Sequence, residues 1–584
     1  MFSFNHYIRY VFYALIFLIF SFSGALPVEA QTPPPRRVNI PHFNDNVVWA
    51  QSAIFWFGKN EVSLPGKNYA DVRLGYTDDA LHIRVTVVDY FLWYDPNATA
   101  TSDLTQYDAV KIFLDTAPGA TTPQSHSYQF LVGARHWQDM SRYMRQARGE
   151  NGSWNTGWQP ATPWTGASAM SWGCNPGPNN NDCSVDFGWT GFFTIPWQTL
   201  GLSAPPAEGT VWKLGVKLFD RDDQPPAGAV SPEAWMPALE ETNPATWGDL
   251  HFGYSRYTPP NVSPRGTTVI RAASPTDNTV EDAWMGGGGW CNSGQEGNRR
   301  GSETNHGGDA ELYIGNEIAE TNFPCFNKTF LRFALDDIPA GKEILSATLT
   351  LHHWGNADPS QARPSWIHLF TITDPWDEMN ITWNNAPLAR ENLSVTKVDP
   401  LPSFPGWPGV PYNWDASQAV AEAYAAGKPL SIALYSSDSA EHSSKYLTAS
   451  EVEDWDAAGR PTLTVVWGDS TPLAVTPAAM AIEPGGTAMY TVQIQTGNGF
   501  SPTATVNLNA VASAPGVNVS LSADSVTPPA TVTVTVTDNH GSGTLQPGQW
   551  YTITVTGNSN GTEHSAAANL LVGGSRVYLP LVLR

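Results

Sequence analysis

Short runs in which apolar and polar residues alternate recur along most of the chain. A period of two is the pattern of a strand with one buried face. The stretch DVRLGYTDDALHIRVTVVD predicts two strands joined by a turn at Thr77–Asp79, and YDAVKIFLDT and TVWKLGVKLFDRDD predict further strands. We therefore expect a first β-sandwich within residues 31–258, followed by a linker at 259–266.

Two further regions show the same alternation. Residues 267–468 contain runs such as ILSATLTLHHW and PTLTVVW, with one segment of helical character at 417–427 that has Gly427 as its C-cap. Residues 469–573 are richer in Thr, Val, Ala and Ser and predict a small immunoglobulin-like sandwich without a core disulfide. The predicted fold class is all-β: two β-sandwich (jelly-roll-like) domains followed by an immunoglobulin-like β-sandwich.

Both ends of the chain resemble sorting segments. Arg9 precedes the apolar run YVFYALIFLIF, and VEA offers small residues for cleavage after Ala30, so residues 1–30 predict a signal peptide. The alternative is an uncleaved membrane anchor. Residues 574–584 (GSRVYLPLVLR) predict a C-terminal tag, the alternative being a last strand on the preceding sandwich. We expect a secreted or surface-retained protein with no membrane span after cleavage.

Composition supports many short strands and narrows the partners. Of 584 residues only 15% are charged, while the chain has 50 Gly, 47 Pro and 24 Trp, a mix that is poor for helices. The net charge of −23 argues against nucleic acid as a partner, because a phosphate backbone needs a basic surface. Neutral sugars and bound cations remain compatible with this acidity.

The four cysteines fit an oxidising compartment. Cys174 and Cys183 flank one short loop, and Cys291 and Cys325 flank a glycine-rich insertion. We expect the pairs 174–183 and 291–325, although four cysteines allow three pairings. A metal site is a weaker reading, since no CxxC or nearby histidine pair completes a tetrahedral set.

Aromatic residues concentrate in one region of the first sandwich. This region contains RHWQDMSRYM and a glycine-rich loop, and flat rings in such a loop can stack on pyranose rings. The alternative is a local core beneath a long loop. The candidate ligand-binding residues are Trp137, Tyr143, Trp154, Trp158 and Trp164.

Acidic clusters supply candidate cation ligands. Asp220 and Asp222 alternate after a strand, and alternation can bring two carboxylates to one Ca²⁺. Asp277 and Asp282 form a similar candidate pair in the second region, where SEVEDWD is also acidic. These stretches lack the glycine and the distal glutamate of an EF-hand loop. The alternative to a calcium site is therefore a solvated turn. Calcium is the one cofactor that we consider, and it would not be catalytic.

The stretch TDPWDEMNITW places two carboxylates between tryptophans, and paired carboxylates are the groups that a glycan-cleaving enzyme uses. Adjacent residues of an extended chain point apart, so Asp377 and Glu378 are poorly placed to face one cleft. The chain also contains no GxSxG, HExxH or phosphate-binding glycine loop. We interpret the stretch as the structural entry to a strand and predict no catalytic residues.

Two families resemble parts of the chain. The stretches GYTDDALHIRVTVVD, YDAVKIFLDT, FTIPWQTLGL and WGDLHFG resemble the family 9 carbohydrate-binding modules and the wider DOMON-like sandwiches. Sugar-binding members have a tryptophan and polar side chains at places that here hold Leu104, Thr105, Leu131 and Gly133. The resemblance therefore implies the fold for this region and does not carry over the family's sugar site.

The second region resembles the DNRLRE domain, also classed as carbohydrate-binding module family 96. The resemblance rests on FLRFALDDIPAGKEILSATLTLHHW, WDEMNITWNNAP, WDASQAVAEAYAAGKPLSIALYSSD and KYLTASEVEDWDAAGRPTLTVVW, in this order. It implies a β-sandwich on a secreted protein, with a polysaccharide or cell-envelope glycan as partner. RVYLPLVLR resembles the C-terminal tags of secreted Chloroflexota proteins, which suggests a bacterial origin.

The resulting hypothesis is a secreted or cell-surface, non-catalytic carbohydrate-binding or adhesion protein. One alternative is a secreted polysaccharide lyase or hydrolase. The other is a calcium-stiffened structural surface protein that binds no glycan.

Overall fold

The computed structural model describes residues 36–58, 68–89, 91–171, 186, 188–223, 228–260, 262–287, 301–316, 326–356, 359–437, 443–469, 472–496, 500–541 and 548–573. The predicted signal peptide at 1–30, the predicted tag at 574–584 and the predicted cysteine pairs all lie outside these ranges. Among the described residues, no helix has both the length and the apolar character needed to cross a bilayer.

The first body, residues 36–258, is a sandwich of two sheets. Its described strands are β1 (Arg37–Ile40), β2 (Ala53–Gly58), β3 (Tyr69–Tyr76), β4 (Ala80–Val88), β5 (Ala109–Asp115), β6 (Ser127–Gly133), β7 (Met144–Glu150), β8 (Ser153–Asn155), β9 (Thr165–Ser171), β10 (Gly188–Pro196), β11 (Val211–Asp220), β12 (Ser231–Trp235) and β13 (Gly248–Phe252). One sheet has the order β1-β13-β11-β5-β6-β7-β8, with β12 beside β11, and the other has the order β2-β3-β4-β10-β9. The predicted turn at Thr77–Asp79 joins β3 to β4, which pair antiparallel.

The strands β2 and β3 are buried on both faces: β2 is almost continuously apolar, whereas β3 carries the buried charged residues Asp71 and Arg73. Phe55 and Val72 belong to the core between the two sheets of the first body. Ile54, Trp56 and Tyr69 point the other way, into a separate apolar cluster shared with the second body. A strand covered on both faces loses the alternation of a half-buried strand.

The second body, residues 264–469, is built from one sheet that doubles back on itself. Its described strands are β14 (Pro264–Ile270), β15 (Val280–Gly287), β16 (Glu311–Asn316), β17 (Phe326–Phe333), β18 (Lys342–Asn356), β19 (Ser365–Thr371), β20 (Glu391–Val398), β21 (Val410–Asp415), β22 (Leu430–Ser436), β23 (Lys445–Thr448) and β24 (Thr462–Asp469). The order is β14-β24-β18-β23-β16-β17-β22-β19-β20, with β15 beside β17 and β21 beside β18. Because β16 pairs with β23 on one side and with β17 on the other, it joins two halves whose apolar faces share a core.

The boundaries of this body differ slightly from those expected. β14 begins at Pro264, inside the predicted linker, and pairs with β24 at the end of the body. The predicted helix is present as α1 (Ser417–Ala425). Asp415 accepts a hydrogen bond from the Ser417 amide at 2.9 Å, and Gly427 follows the helix with φ +61°. This left-handed conformation favours glycine and ends the helix as the sequence predicts.

The third body, residues 472–573, is a separate two-sheet sandwich. Its described strands are β25 (Leu473–Thr476), β26 (Ala479–Ile482), β27 (Thr487–Ile494), β28 (Val506–Ala512), β29 (Val517–Leu521), β30 (Ser525–Val526), β31 (Ala530–Asp538), β32 (Gln549–Ser559) and β33 (Thr562–Val572). The sheets have the orders β25-β27-β31-β29 and β26-β33-β32-β28-β30. Its core draws only on its own strands within the described part of the chain. The all-β fold class is confirmed.

The first and second bodies share a buried interface. Strand β1 of the first body lies against β20 of the second. The Arg37 amide donates to the Arg390 carbonyl at 2.6 Å, and the Asn39 amide donates to the Asn392 side chain at 2.8 Å. The Asn392 side chain returns a bond to the Asn39 carbonyl at 2.9 Å. These paired bonds fix the relative position of the two bodies.

A polar cluster lies at the centre of this interface. Asp71 accepts hydrogen bonds from the hydroxyl groups of Tyr69 and Tyr435, at 2.5 and 2.8 Å. Lys328 is fully buried beside them, and its Nζ lies 3.7 Å from the centroid of the Trp383 ring. The rings of Trp56, Tyr69 and Tyr435 complete a cage around this amine. Burial lowers the pKa of Lys328 well below its usual range, and Asp71 only partly opposes this.

Candidate functional site

Neighbouring strands of the second body carry half-buried aromatic rings that contact one another. Tyr313 on β16 lies directly opposite Tyr446 on β23, and Tyr446 lies opposite Gly355 on β18. Leu312, beside Tyr313, points into the core, so strand alternation turns Tyr313 outward. Trp354 lies next to Gly355, and its ring contacts that of Tyr446.

Two loops extend this row of rings. Phe404 and Trp407 come from the loop before β21, and Trp455 comes from the 3₁₀ turn Asp454–Gly459. They are 56%, 46% and 63% exposed, respectively. The ring centroids are separated by 5.2 Å for Phe404–Trp407, 5.0 Å for Trp407–Trp455, 5.6 Å for Trp354–Trp407, 5.6 Å for Trp354–Tyr446 and 4.7 Å for Tyr446–Tyr313. We call these six residues the aromatic strip.

A glycine lets the loop that carries Trp407 approach β18. Gly409 has φ +94°, and a Cβ atom there would lie 2.7 Å from the carbonyl oxygen of His353. Any other residue would be both strained and in collision with backbone, so the loop would have to move outward. The Gly409 amide closes a turn by donating to the Gly406 carbonyl at 2.9 Å. The segment SFPGWPG is therefore held close enough for Trp407 to contact Trp354.

A buried arginine holds the turn that carries Trp455. Arg460 has no exposed surface, and its guanidinium donates to the Val452 carbonyl and to the Asp454 carboxylate, both at 2.7 Å. It also reaches the carbonyl of Ala272, next to β14, at 3.3 Å. A planar guanidinium fixes several acceptors at once. The ring of Trp455 is thus presented from a rigid base.

The strip has the chemistry of a sugar-binding surface. Large apolar rings exposed side by side are costly for a soluble protein and usually mark an interaction site. The faces of a pyranose carry C–H groups that pack on aromatic rings, while its hydroxyl groups bond to nearby polar side chains. An extended row of rings suits an extended ligand.

The sequence did not single out these rings. They come from positions between 313 and 455 and meet only because β16, β23 and β18 are neighbours in the sheet. Trp407 and Phe404 did carry a local signal, because they stand among Pro and Gly in a loop where no core strand would place them.

A second candidate site lies in the first body, where three carboxylates converge. The carboxylate oxygens of Asp89, Asp220 and Asp222 lie within 4.8 Å of one another. Asp89 follows β4, and Asp220 ends β11. Asp108, just before β5, lies near the group and accepts from the amides of Trp93 and Arg221 at 2.5 and 2.8 Å. The structure brings together Asp220 and Asp222 as the sequence predicts, and adds Asp89 from far along the chain.

The electrostatics of this group suit a cation. Asp89 is 1% exposed, and its Oδ2 has no hydrogen-bond partner among the described residues. Burial, with Asp108 and Asp220 nearby, raises the pKa of Asp89 well above its usual range. A divalent cation would relieve this crowding, and carboxylate oxygens are the ligands that Ca²⁺ prefers. The donor set therefore fits calcium.

The other predicted pair of cation ligands is divided in the structure. Asp277 accepts from the amides of Ala273 and Thr279, at 2.7 and 3.0 Å, and so caps a turn. Asp282 is buried and faces Glu451 instead. Burial and Glu451 raise the pKa of Asp282 well above its usual range, which favours a proton shared by the two carboxyl groups.

Most of the predicted aromatic ligand-binding residues pack inside the first body or on its flank. Tyr143 and Trp164 are 1% and 4% exposed and belong to the core, so their rings are closed to a ligand. Trp158 packs on Tyr128, and Trp154 stacks parallel to Trp247 and donates to the Glu241 carbonyl at 3.1 Å. Trp137 alone of the five is mainly exposed, at 81%. The structure supports the alternative of a local core beneath the loop.

The place where the family 9 resemblance would put a sugar is a polar cavity of about 470 Å³. Leu104 and Leu131 in its wall are buried. The Lys111 Nζ donates a hydrogen bond to the Glu241 carboxylate at 2.8 Å, and the Arg145 guanidinium donates to the carbonyls of Thr99 and Ser102. The side chains that line the cavity include no aromatic ring.

The stretch between Trp376 and Trp383 packs into the buried core, but the predicted entry to a strand is wrong, because residues 372–390 form turns and loop and the next strand, β20, begins at Glu391. Both rings are buried, at 8% and 3% exposure, and the Trp376 indole donates to Ser431 at 2.9 Å. Asp377 accepts from the Met379 amide and closes the turn, whereas Glu378 accepts from the Asp282 amide. The two carboxylates therefore serve different neighbours.

Comparisons with known structures found neighbours among sugar-binding modules. A family 9 carbohydrate-binding module from Caldicellulosiruptor kristjanssonii in complex with cellotriose is 17% identical, with a TM-score of 0.26, over 40% of this chain and 100% of that chain. The glucose complex of a family 9 module from the same organism is 17% identical, with a TM-score of 0.25, over 38% of this chain and 100% of that chain. Domains 4 and 5 of the S-layer protein SbsC are 23% identical, with a TM-score of 0.13, over 19% of this chain and 59% of that chain. These scores are too low to establish a common fold for the whole chain.

The sequence comparisons single out the second body. No curated protein matches the chain. A family model does match residues 297–459, which include every ring of the aromatic strip. That model is carbohydrate-binding module family 96, so this part of the second body carries the signature of a carbohydrate-binding module.

Proposed function

We propose that this protein is a secreted, non-catalytic carbohydrate-binding protein that holds a glycan along the aromatic strip. The observation that carries the proposal is the exposure of Phe404, Trp407 and Trp455 in contact with the rings on β18, β23 and β16. The match of residues 297–459 to a carbohydrate-binding family supports it independently.

Binding without cleavage is supported by the placement of the carboxyl groups. A glycosidase needs two carboxyl groups that face each other across an accessible groove. Among the described residues of the second body, Asp282, Glu378 and Glu451 form a close cluster, in which Asp282 is 1% exposed and its amide donates to Glu378. A polysaccharide cannot reach Asp282 at that depth, so a facing pair that includes Asp282 does not support the lyase or hydrolase alternative.

Affinity gel electrophoresis of the whole chain tests the binding proposal. Gels containing single polysaccharides should retard the wild type on at least one of them, and the variants Trp407→Ala and Trp455→Ala should lose most of that retardation. Trp550→Ala is the matched control, because this tryptophan is 60% exposed but lies on the third body. Equal retardation of all three variants would place the glycan elsewhere, and no retardation on a broad panel would end the proposal.

We also propose that Ca²⁺ binds Asp89, Asp220 and Asp222 and stabilises the first body. A ligand that binds only the folded state at a hundred times its dissociation constant stabilises by about 2.7 kcal/mol. The melting temperature should fall in chelator and recover on addition of CaCl₂. Asp89→Asn should lose this response, whereas Asp277→Asn should keep it because Asp277 caps a turn. A calcium response that survives Asp89→Asn would refute the site.

We propose a secreted location from the N-terminal segment and from the four cysteines, which fit an oxidising compartment. Expression of the whole chain in a bacterial host should yield a mature protein whose first residue is Gln31. N-terminal sequencing of protein from the culture medium and from cells checks this. An intact Met1 in all fractions would contradict it.

A further inference from the structure

The charges around the aromatic strip are almost all negative. Glu453 beside Trp455 is exposed, and Asp309 is 47% exposed at the side chain next to His306, whereas Asp454, 72% exposed, pairs with Arg460. Glu311 is half-buried and accepts a hydrogen bond from the Tyr313 hydroxyl. A ligand lying on the strip would therefore meet carboxylates along its edges.

The basic residues next to the strip are turned away from it. Lys445 precedes Tyr446 but is fully buried, and its Nζ donates to the carbonyls of Arg363 and Ser443, both at 2.6 Å. Arg460 is likewise fully buried beneath Trp455. Strand alternation sends Lys445 inward when Tyr446 points outward. Neither cation can meet a ligand on the outer face.

The exposed guanidinium of Arg271 stands near the strip. Arg271 lies next to the turn that carries Trp455, where it donates to the carbonyls of Ala457 and Ala458, each at 3.4 Å. A single arginine does not balance the surrounding carboxylates. Across residues 297–459 Asp and Glu also outnumber Lys and Arg, which adds a negative background potential.

From this arrangement we infer that the aromatic strip selects glycans without carboxylate or sulfate groups, and rejects polyuronates. The inference rests on the proposed function and adds the ligand's charge class to it. Hydroxyl groups of an uncharged sugar can donate to Asp309 or Glu311, so these two carboxylates become acceptors for that ligand. A uronate would instead bring like charges together in the same contacts, which is costly.

The test compares one polysaccharide backbone with and without its charge. Full-length protein is run in affinity gels containing polygalacturonate, its fully methyl-esterified form or an unsubstituted glucan, at low and high salt and in chelator. We expect retention on one or both uncharged polymers, with an apparent affinity at least about ten-fold above that for polygalacturonate at low salt. Salt should narrow the difference, since it screens exposed charges.

A charge-reversal variant provides the internal check. Glu453→Lys should strengthen binding to polygalacturonate at low salt several-fold and leave binding to the uncharged polymers within about two-fold. The matched control is Glu483→Lys on the third body, which should change neither. Stronger retention of the wild type on polygalacturonate than on its ester, in chelator, would overturn the inference while leaving the proposed function intact. Absence of binding to every polymer would overturn both.

Discussion

A lysine without a hydrogen-bond partner is unusual at the centre of an interface between two sandwiches. The amine of Lys328 is enclosed by four aromatic rings, and its Nζ has no hydrogen bond among the described residues. Burying a charged amine costs free energy that cation–π contacts only partly return. Lys328 therefore weakens the interface that it occupies.

We expect Lys328→Met to raise the free energy of unfolding by about 1–4 kcal/mol, because an apolar side chain of similar length avoids the desolvation cost. Urea titration of both proteins measures the difference. Lys428→Met, at an exposed position after α1, is the control and should change stability by no more than about 0.5 kcal/mol. A strong loss of stability in Lys328→Met would show that the amine is required.

Glu378 makes the stability of the second body depend on pH. Burial is the main cause that raises the pKa of Glu378 to about 7, with Glu451 adding to it and Arg332 opposing it. The unfolded chain has a glutamate pKa of about 4.3, so the folded state holds the proton more tightly. The stabilising contribution is complete below about pH 4.3 and is lost as the pH rises through about 7.

Unfolding free energies between pH 5 and pH 8 should therefore decline in the wild type and decline less in Glu378→Gln. Asp282 and Glu451 face the same position and will account for the remaining slope. Glu303→Gln, exposed on the same body, should leave the slope unchanged. Identical slopes in all three proteins would contradict the role given to Glu378.

At the scale of elements, Trp376 anchors the turn after β19 in the buried core. Trp376 packs on Phe330, and its indole bonds to Ser431. Trp376→Ala should lower stability by about 3–5 kcal/mol, as expected for a large buried ring. Met379→Ala in the same turn, where Met379 is 61% exposed, should cost little. Thermal melts separate the two, and equal melting temperatures would mean that Trp376 is not part of the core.

Period-two alternation predicted these elements well, because a half-buried strand records its orientation in its own sequence. It found β3, β4, β5 and β11 and the turn at 77–79. It did not distinguish a sandwich of two sheets from the single doubled sheet of the second body, since pairing partners far apart leave no local trace. The run AIFWFG in β2 was the missed signal of a strand covered on both faces.

The candidate sites were harder to predict than the elements, for the same reason. Asp220 and Asp222 were found because they alternate within one stretch, whereas Asp89 joins them only through the fold. Tyr143 and Trp164 were wrongly expected to bind a ligand, because ring density in a loop cannot tell a local core from a surface. The aromatic strip could not be predicted from the sequence, because its rings become neighbours only through the strand order β18-β23-β16.

At the scale of the molecule, the first and second bodies should unfold together and the third alone. The cluster that contains Trp56 and Trp383 draws on both of the first two bodies, and the third has its own core. Calorimetry should show one transition for the joined pair and another for the third body. Trp56→Ala should lower the first transition and spare the second. Three separate transitions, of which Trp56→Ala shifts only one, would contradict this coupling.

The bonds between Asn39 and Asn392 also bear on how such proteins can be recombined. A gene fragment that ends between the first two sandwiches would leave each product with an uncovered apolar flank and half of a polar cluster. The third sandwich can therefore be exchanged between proteins as a single module, whereas the first two have to be transferred together. Any graft of the proposed glycan-binding unit onto another protein has to carry residues 36–469 together.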